Sequence, residues 1–436
     1  MLRPSVAALG GVACGAYDVA ALCRRGAPAP AFARSIEDSS LPANARLARL
    51  ADNPFTRLGE LLAGVTPRSN EPPILMSVGE PQHPPPALLA RIVADGAHLW
   101  NRYPPMSGTP EYRAACAGWL ARRYHLPAGM VTGERHVLAL AGTKEGLYMA
   151  ASLAVPETKA GQTPIVLLPN PYYLVYLGGA VMAGAEIVPL DATAATGFLP
   201  DLDALAPQQL ERCALLYLCS PANPQGAIAD LAYLEKAIAL ARAHDFVLAV
   251  DECYGEIYDR APPPGAPEAC ARLGGALDNV LVFHSLSKRS NAAGLRCGFV
   301  AGDPDLIARF QHLRGYGGAQ VPLPLQHAAT ALWQDETHVE PNRALYRRKF
   351  AVAEQALGRR FGFYRPPGGF FLWLDVGDGE QAAKALWREA GVRTLPGAYV
   401  ARPTGGENPG KRYIRVALVH DDATVAAGMQ RMLSVL

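Results

Sequence analysis

The chain is short of several things that would direct it to particular partners. Its eight cysteines contain no C-x-x-C pair, and its ten histidines form neither an H-E-x-x-H nor an H-x-H group, so no metal-ligand spacing is present. Several of the cysteines sit in apolar runs, where a free thiol behaves as a small core residue, and the expectation is a reducing compartment, the cytoplasm. Charge is nearly balanced: Lys+Arg of 41 against Asp+Glu of 39 leaves +2. Without a basic cluster this argues against a nucleic-acid partner. No internal repeat or low-complexity tract is visible. Long apolar runs are also missing. The Ala/Gly/Val-rich stretch from Val6 to Ala16, with Arg3 before it and Ala31-Phe32-Ala33 after it, loosely imitates a secretion signal, but Asp18 interrupts it. It falls short of the roughly 18 strongly apolar residues of a membrane span, so no membrane partner is expected. Residues 1–43 are expected to be a poorly ordered extension, or to follow a start upstream of the natural one, with a signal as the alternative.

What is present is length and apolar content. At 436 residues, half of them hydrophobic, the chain can bury a large core in two or three domains. Residues 44–85 read as an arm and part of a small domain, with a helical pattern from Pro42 to Leu62 around Pro54. Residues 86–325 read as a large domain, beginning with an amphipathic helix near Ala87 to Trp100. There, short apolar strands alternate with helical stretches: His136–Leu140, Ile165–Leu168, Glu186–Leu190, Ala214–Cys219, Phe246–Val250 and the pair that flanks Ser285–Gly298. That alternation predicts an α/β fold, a doubly wound sheet with mostly parallel strands. Residues 326–436 read as a smaller α+β domain with strands at Gly369–Asp375 and Tyr413–Leu418.

The stretch Ser285-Leu286-Ser287-Lys288-Arg289-Ser290-Asn291-Ala292-Ala293-Gly294-Leu295-Arg296-Cys297-Gly298 carries the chemistry. A lysine at the end of a strand, among hydroxyls and near a glycine-flanked arginine, is placed to be desolvated beside an anion, and a desolvated amine is a nucleophile toward carbonyls. Ala141-Gly142-Thr143 opens a helix straight after a strand, where backbone N–H groups can cradle a phosphate. Asp251 ends the apolar run Phe246–Val250, where a carboxylate needs a cationic partner. Read singly, Lys288 and Arg296 are solvated loop cations, Gly142-Thr143 a plain turn, and Tyr172-Tyr173 packing aromatics.

Taken together, these segments resemble the pyridoxal-phosphate enzymes of aminotransferase fold type I. Ser-x-Ser-Lys with Gly-Leu-Arg-x-Gly, Ser220-Pro221-Ala222-Asn223-Pro224-Gln225-Gly226, Asp251-Glu252-Cys253-Tyr254, Gly79-Glu80-Pro81 and Tyr103-Pro104 stand in the family's order. The resemblance implies pyridoxal 5'-phosphate as cofactor, held covalently by Lys288. It also implies a phosphate gripped by Gly142, Thr143, Ser285 and Arg296, with Tyr103 reaching across a homodimer interface to the neighbour's phosphate. Asp251 would keep the pyridine nitrogen protonated, Asn223 and Tyr254 would bond the phenolic oxygen, and Tyr173 would stack on the ring. Gly79, Asn223 and Arg415 would line the substrate, Arg415 clamping its α-carboxylate. Lys288, Asp251 and Tyr254 are the catalytic candidates, Lys288 acting as the acid–base that moves the α-proton.

Within the family, Ser-Leu-Ser-Lys-Arg-Ser-Asn with Asn-Pro-Phe-Thr-Arg-Leu and Leu-Leu-Ala-Gly-Val-Thr-Pro is most similar to the succinyldiaminopimelate aminotransferases of bacterial lysine biosynthesis. That implies N-succinyl-diaminopimelate and 2-oxoglutarate/glutamate as substrates, with Arg289 and Arg102 as candidates for a distal carboxylate. Ala141 departs from the serine, and Ala292-Ala293 from the proline, that relatives often carry. The alternatives are an aminotransferase for alanine, aspartate or aromatic amino acids, or a carbon–sulfur β-lyase of the same fold. A regulator with an aminotransferase-like domain would need a basic winged-helix segment before Pro42, which is not seen.

Overall fold

A seven-stranded sheet runs through the centre of the chain in the order β2-β8-β7-β6-β5-β3-β4. Its strands are β2 (Val137–Leu140), β3 (Ile165–Asn170), β4 (Glu186–Asp191), β5 (Cys213–Cys219), β6 (Val247–Asp251), β7 (Val280–Ser285) and β8 (Gly298–Gly302); β1 is the short Ile74–Leu75. The structure is a computed structural model that describes residues 43–436, so the predicted 1–43 extension lies almost wholly outside the described residues. Residues 49–436 form one compact unit. The sheet is parallel except for β8, which is antiparallel to both β7 and β2. Strands β2, β3, β5, β6 and β7 therefore point the same way and end on one edge.

The strand sequences explain this placement. All seven residues of β5 are buried, with Leu216 and Leu218 in one apolar cluster and Leu215 and Tyr217 in another. A strand covered on both faces reads as an unbroken apolar run, which is the mark of an interior parallel strand. Each such leucine contributes roughly 1.5–3 kcal/mol by leaving water.

The helices that matter for the site are α1 (Pro54–Leu61), α2 (Leu88–Asp95), α3 (Thr143–Ala154), α4 (Leu174–Ala183), α5 (Leu323–Gln334) and α6 (Val339–Leu357). The helical pattern read from Pro42 to Leu62 is not one helix. A 3-10 stretch, Ala45–Arg49, is separated from α1, which Asn53 caps by accepting from the Phe55 N–H. Likewise the stretch near Ala87–Trp100 is α2 followed by a 3-10 turn, Gly96–Leu99.

A second sheet of three antiparallel strands, β11-β12-β9, is built from β9 (Phe371–Asp375), β11 (Leu395–Pro396) and β12 (Tyr413–Ala417). Beside it β1 pairs with β10 (Val392–Arg393). The chain after β1 then runs along β12, where the Ala417 N–H donates to the Met76 carbonyl at 2.7 Å. Ser77 is thereby set next to Arg415, and Gly79 next to Phe371 and Lys288. Among the described residues no helix is long and apolar enough to cross a membrane.

Candidate active site

Five strand ends supply the site. Beyond β2, Gly142 takes a left-handed φ of 81° as the N-cap of α3. A Cβ at Gly142 would stand 2.0 Å from Arg296 Nη2, so only glycine lets that guanidinium close on the start of the helix. Arg296 is itself left-handed, with φ 54°, and its Nη1 donates to the Ala293 carbonyl at 2.9 Å. Beyond β7, the Ser285 hydroxyl caps the short turn Leu286–Arg289, accepting from the Ser287 N–H, with the two serine Oγ atoms 2.9 Å apart. Helix N–H groups, two hydroxyls and a guanidinium thus come to one end of the cleft, a donor set for a dianion.

Lys288 follows on that turn. Its Nζ donates to the Gly79 carbonyl at 2.6 Å and lies 5.2 Å from the Phe370 ring and 5.9 Å from the Tyr254 ring. Burial pulls its pKa down to about 8, with Arg415 and Arg296 adding to the fall against Cys253 and Glu80. About a tenth of the amine is therefore neutral at pH 7 and half at about pH 8, far more than for a solvated lysine. Gly79 admits no side chain, since a Cβ would meet Phe371 at 2.4 Å.

Asp251 ends β6 and is 5% exposed. Its Oδ1 accepts from the Cys253 N–H at 3.1 Å and its Oδ2 from the Tyr176 hydroxyl at 2.7 Å. Tyr176 did not stand out in the sequence. It lies on α4 one turn after Tyr173, and the two rings meet edge to face at 5.7 Å. The i, i+3 spacing of Tyr173 and Tyr176 was the available signal, but choosing Asp251 as the partner needs a contact 75 positions away. Burial pushes the Tyr173 phenol up to about 12, Asp251 being the next cause, and holds Tyr254 and Tyr176 well above the ordinary tyrosine range.

Arg415 comes from the middle of β12 and is 7% exposed. Its Nη1 donates to Asn223 Oδ1 at 3.2 Å and its Nη2 to the Ser77 carbonyl at 2.9 Å, while its Cζ stands 4.5 Å over the Phe371 ring. No carboxylate partners it among the described residues, and burial lowers its pKa to about 10. This loop after β5 is where Asn223 was expected, and the guanidinium is what it meets.

The structure so brings Gly142 to Arg296, Ser285 to the turn bearing Lys288, Lys288 to Gly79 and Tyr254, Arg415 to Asn223, and Tyr173 to Tyr176 and Asp251, with Thr143 Oγ1 3.1 Å from Cys253 Sγ. Two residues stand apart. Tyr103 is 97% exposed. Arg289, a candidate for a distal substrate carboxylate, is corrected: it is 2% exposed and turned away, its Nη1 donating to the Leu332 carbonyl and its Nη2 to the Asp335 carbonyl and Glu336. A loop cation with buried carbonyl acceptors within reach folds onto them instead of facing the cleft.

The chemistry of these donors fits pyridoxal phosphate: a glycine-walled phosphate cradle, a depressed lysine, a buried carboxylate and flanking aromatics. The comparisons with known proteins agree. The family model for aminotransferase class I and II matches residues 71–432. The chain is 34% identical over 359 residues to a 4-dedimethylamino-4-oxo-anhydrotetracycline transaminase of Streptomyces rimosus, covering 82% of this chain and 92% of that one. It is 31% identical over 395 residues to an LL-diaminopimelate aminotransferase of Syntrophobacter fumaroxidans, covering 89% and 97%. Among solved structures, an aminotransferase from Neisseria meningitidis superposes with a TM-score of 0.85 at 37% identity, covering 90% and 99%. A probable N-succinyldiaminopimelate aminotransferase from Thermus thermophilus superposes with a TM-score of 0.76 at 26% identity, covering 88% and 100%. On the family model and these relatives, the chain belongs to the class I and II aminotransferases, enzymes that depend on pyridoxal phosphate.

Proposed function

We propose that this aminotransferase exchanges the amino group of N-succinyl-diaminopimelate with the 2-oxoglutarate/glutamate pair, in lysine biosynthesis, as a cytoplasmic homodimer. The observation that carries the α-amino-acid part is Arg415, a buried guanidinium with no carboxylate partner among the described residues, near enough to Lys288 to help lower its pKa. A buried cation without a counter-charge is costly, and a substrate α-carboxylate would supply one by a two-pronged contact.

Bound pyridoxal phosphate supplies an electron-withdrawing ring that stabilises negative charge at the substrate's α-carbon. The chain's own residues do the rest. Gly142, Thr143, Ser285 and Arg296 would hold the phosphate; Asp251, its carboxylate oriented by Tyr176, would serve the ring nitrogen; Asn223 and Tyr254 would serve the phenolic oxygen, and Tyr173 would pack on the ring. Lys288 Nζ takes the proton from the substrate's α-carbon, a general-base role contributing on the order of 10²–10⁴ in rate. Gly79 keeps the wall beside Arg415 open. Residues 86–325 form the cofactor-binding domain in this reading, and 44–85 with 326–436 the part that carries Arg415.

The succinylated substrate rests on the motifs shared with that subfamily and on diaminopimelate-specific relatives. With Arg289 withdrawn, Arg102 is the remaining candidate for the distal carboxylate. Unacylated LL-diaminopimelate is the second reading, favoured by the relatives that bear its name. A screen of amino donors and oxo acids separates the two. N-succinyl-diaminopimelate and glutamate should exceed alanine by about ten- to a hundred-fold in kcat/KM, the equivalent of one charge-assisted contact. LL-diaminopimelate, alanine or an aromatic amino acid as the best donor would overturn the substrate assignment and leave the family intact. The dimer rests on Tyr103, whose ring has no part in its own chain's site. Chains mutated at Tyr103 and at Lys288 should restore activity on mixing, because one hybrid site then carries neither lesion.

A further inference from the structure

The three residues after Lys288 direct their polar groups to one place, the junction of α5 and α6. Arg289 bonds the Leu332 and Asp335 carbonyls. Ser290 Oγ lies 2.8 Å from His338 Nε2, and His338 Nδ1 bonds Asp335 Oδ2. Asn291 Nδ2 donates to Asn342 Oδ1 at 2.8 Å, and Asn342 Nδ2 donates back to the carbonyls of Lys288 at 3.0 Å and Arg289 at 3.1 Å. Arg289, Ser290 and Asn342 are 2%, 1% and 5% exposed, so water cannot replace a lost partner without the loop moving.

The order Asp335, His338, Ser290 matches a hydrolase triad in connectivity. Ser290 is too deeply buried to reach a substrate, so a nucleophilic role fails. The tautomer is dictated by the partners. Asp335 can only accept, so Nδ1 carries the hydrogen and Nε2 is left to accept from the Ser290 hydroxyl. A proton on Nε2 reverses that bond and sets a second cation 3.4 Å from Arg289 Nη1. The charged groups facing the imidazole are Asp335 and Glu336 from its own junction and Arg289 from the lysine loop.

We propose that Asp335, neutral His338 and Asn342 form a positioning bracket for Lys288, and that protonating His338 turns the Ser290 bond around, sets a second cation against Arg289 and so loosens the turn that carries the reacting amine. The proposal rests on Lys288 being that amine. Burial, with Arg289, holds the His338 pKa below its ordinary value against the pull of Asp335. The bracket is therefore complete above the unfolded-state value of about 6.5 and is lost as the pH falls through the lower folded one.

Two variants test it. His338→Gln keeps an acceptor for Ser290 but cannot titrate, and Ser290→Ala removes the hydroxyl while leaving the His338–Asp335 pair. For each, kcat and KM of the holoenzyme are measured from about pH 5 to about pH 8, bracketing the histidine range. On the apoenzyme, the rate at which an amine-reactive reagent labels Lys288 is read by peptide mass mapping and taken relative to wild type at each pH, which cancels the titration of Lys288 itself. In His338→Gln the ratio of kcat at the acid end to kcat at the neutral end should rise about tenfold over wild type, the equivalent of one titration step over one pH unit. KM should be unchanged, and the relative labelling of Lys288 should show a step below the histidine pKa. Ser290→Ala should lower kcat at neutral pH by about fivefold, as for one buried hydrogen bond, and flatten the same limb. Both variants keeping the wild-type acid limb and labelling profile would overturn the bracket. If His338→Gln does not fold, Ser290→Ala alone decides. Failure of the Lys288 assignment would show separately, as turnover surviving in Lys288→Ala.

Discussion

Arg289 and Arg415 are both buried arginines close to the same lysine, and they do opposite things. Arg289 sits on the turn of Lys288 itself, and its charge is met by Glu336 at 2.7 Å with backbone carbonyls around it. Arg415 comes from the other sheet, and its two contacts are to neutral oxygens, those of Asn223 and Ser77. A guanidinium whose partners are all supplied by the protein is a fastener; one left without a counter-ion in a desolvated wall is a receptor for an anion. Closeness in sequence to the reacting residue was therefore a poor guide to which arginine faces the substrate.

Replacing each arginine should separate the two roles. Arg289→Ala removes a buried guanidinium and strands the Leu332 and Asp335 carbonyls, so stability should fall by about 3–5 kcal/mol, read as the midpoint of chemical unfolding. The preference for dicarboxylic over neutral donors should stay unchanged; a narrowed preference with intact stability would return Arg289 to the substrate. Arg415→Leu should do the reverse. It should lower kcat/KM for α-amino acids by about ten- to a hundred-fold while sparing cofactor binding and costing little stability, and the loss should vanish for an amine that lacks the α-carboxylate. Tyr176→Phe should have the smallest effect, about fivefold in kcat, because Asp251 keeps its bond from the Cys253 N–H. An effect as large as that of Arg415→Leu would mean that Tyr176 touches the reacting groups directly.

The same contrast explains what could be read from the sequence. Strands β3, β5, β6 and β7 were legible because both of their faces are buried and each is an apolar run up to its last one or two residues, so no distant information was needed. Lys288, Asp251 and Asn223 were legible because each follows such a strand within a short motif. The direction of Arg289 was not, since Leu332, Asp335 and Glu336 lie more than 40 positions away. Nor was the bond of Tyr176 to Asp251, for the same reason. In the segment from Ile74 to Pro81 only Ile74–Leu75 pair as a strand; the carbonyls of Met76, Ser77 and Gly79 accept from Ala417, Arg415 and Lys288, which local pattern cannot reveal.

The most direct measurement is where, and at what pH, the apoenzyme captures its cofactor. Pyridoxal phosphate is added across a range of pH, the bond is trapped by borohydride, and the modified peptide is sequenced. The expected adduct is on Lys288, formed at a rate that rises as the pH passes through about 8, because burial keeps the amine neutral there. A solvated lysine would need roughly pH 10.4. An adduct on another lysine, or capture by Lys288 only near the ordinary lysine value, would contradict the site described for this chain.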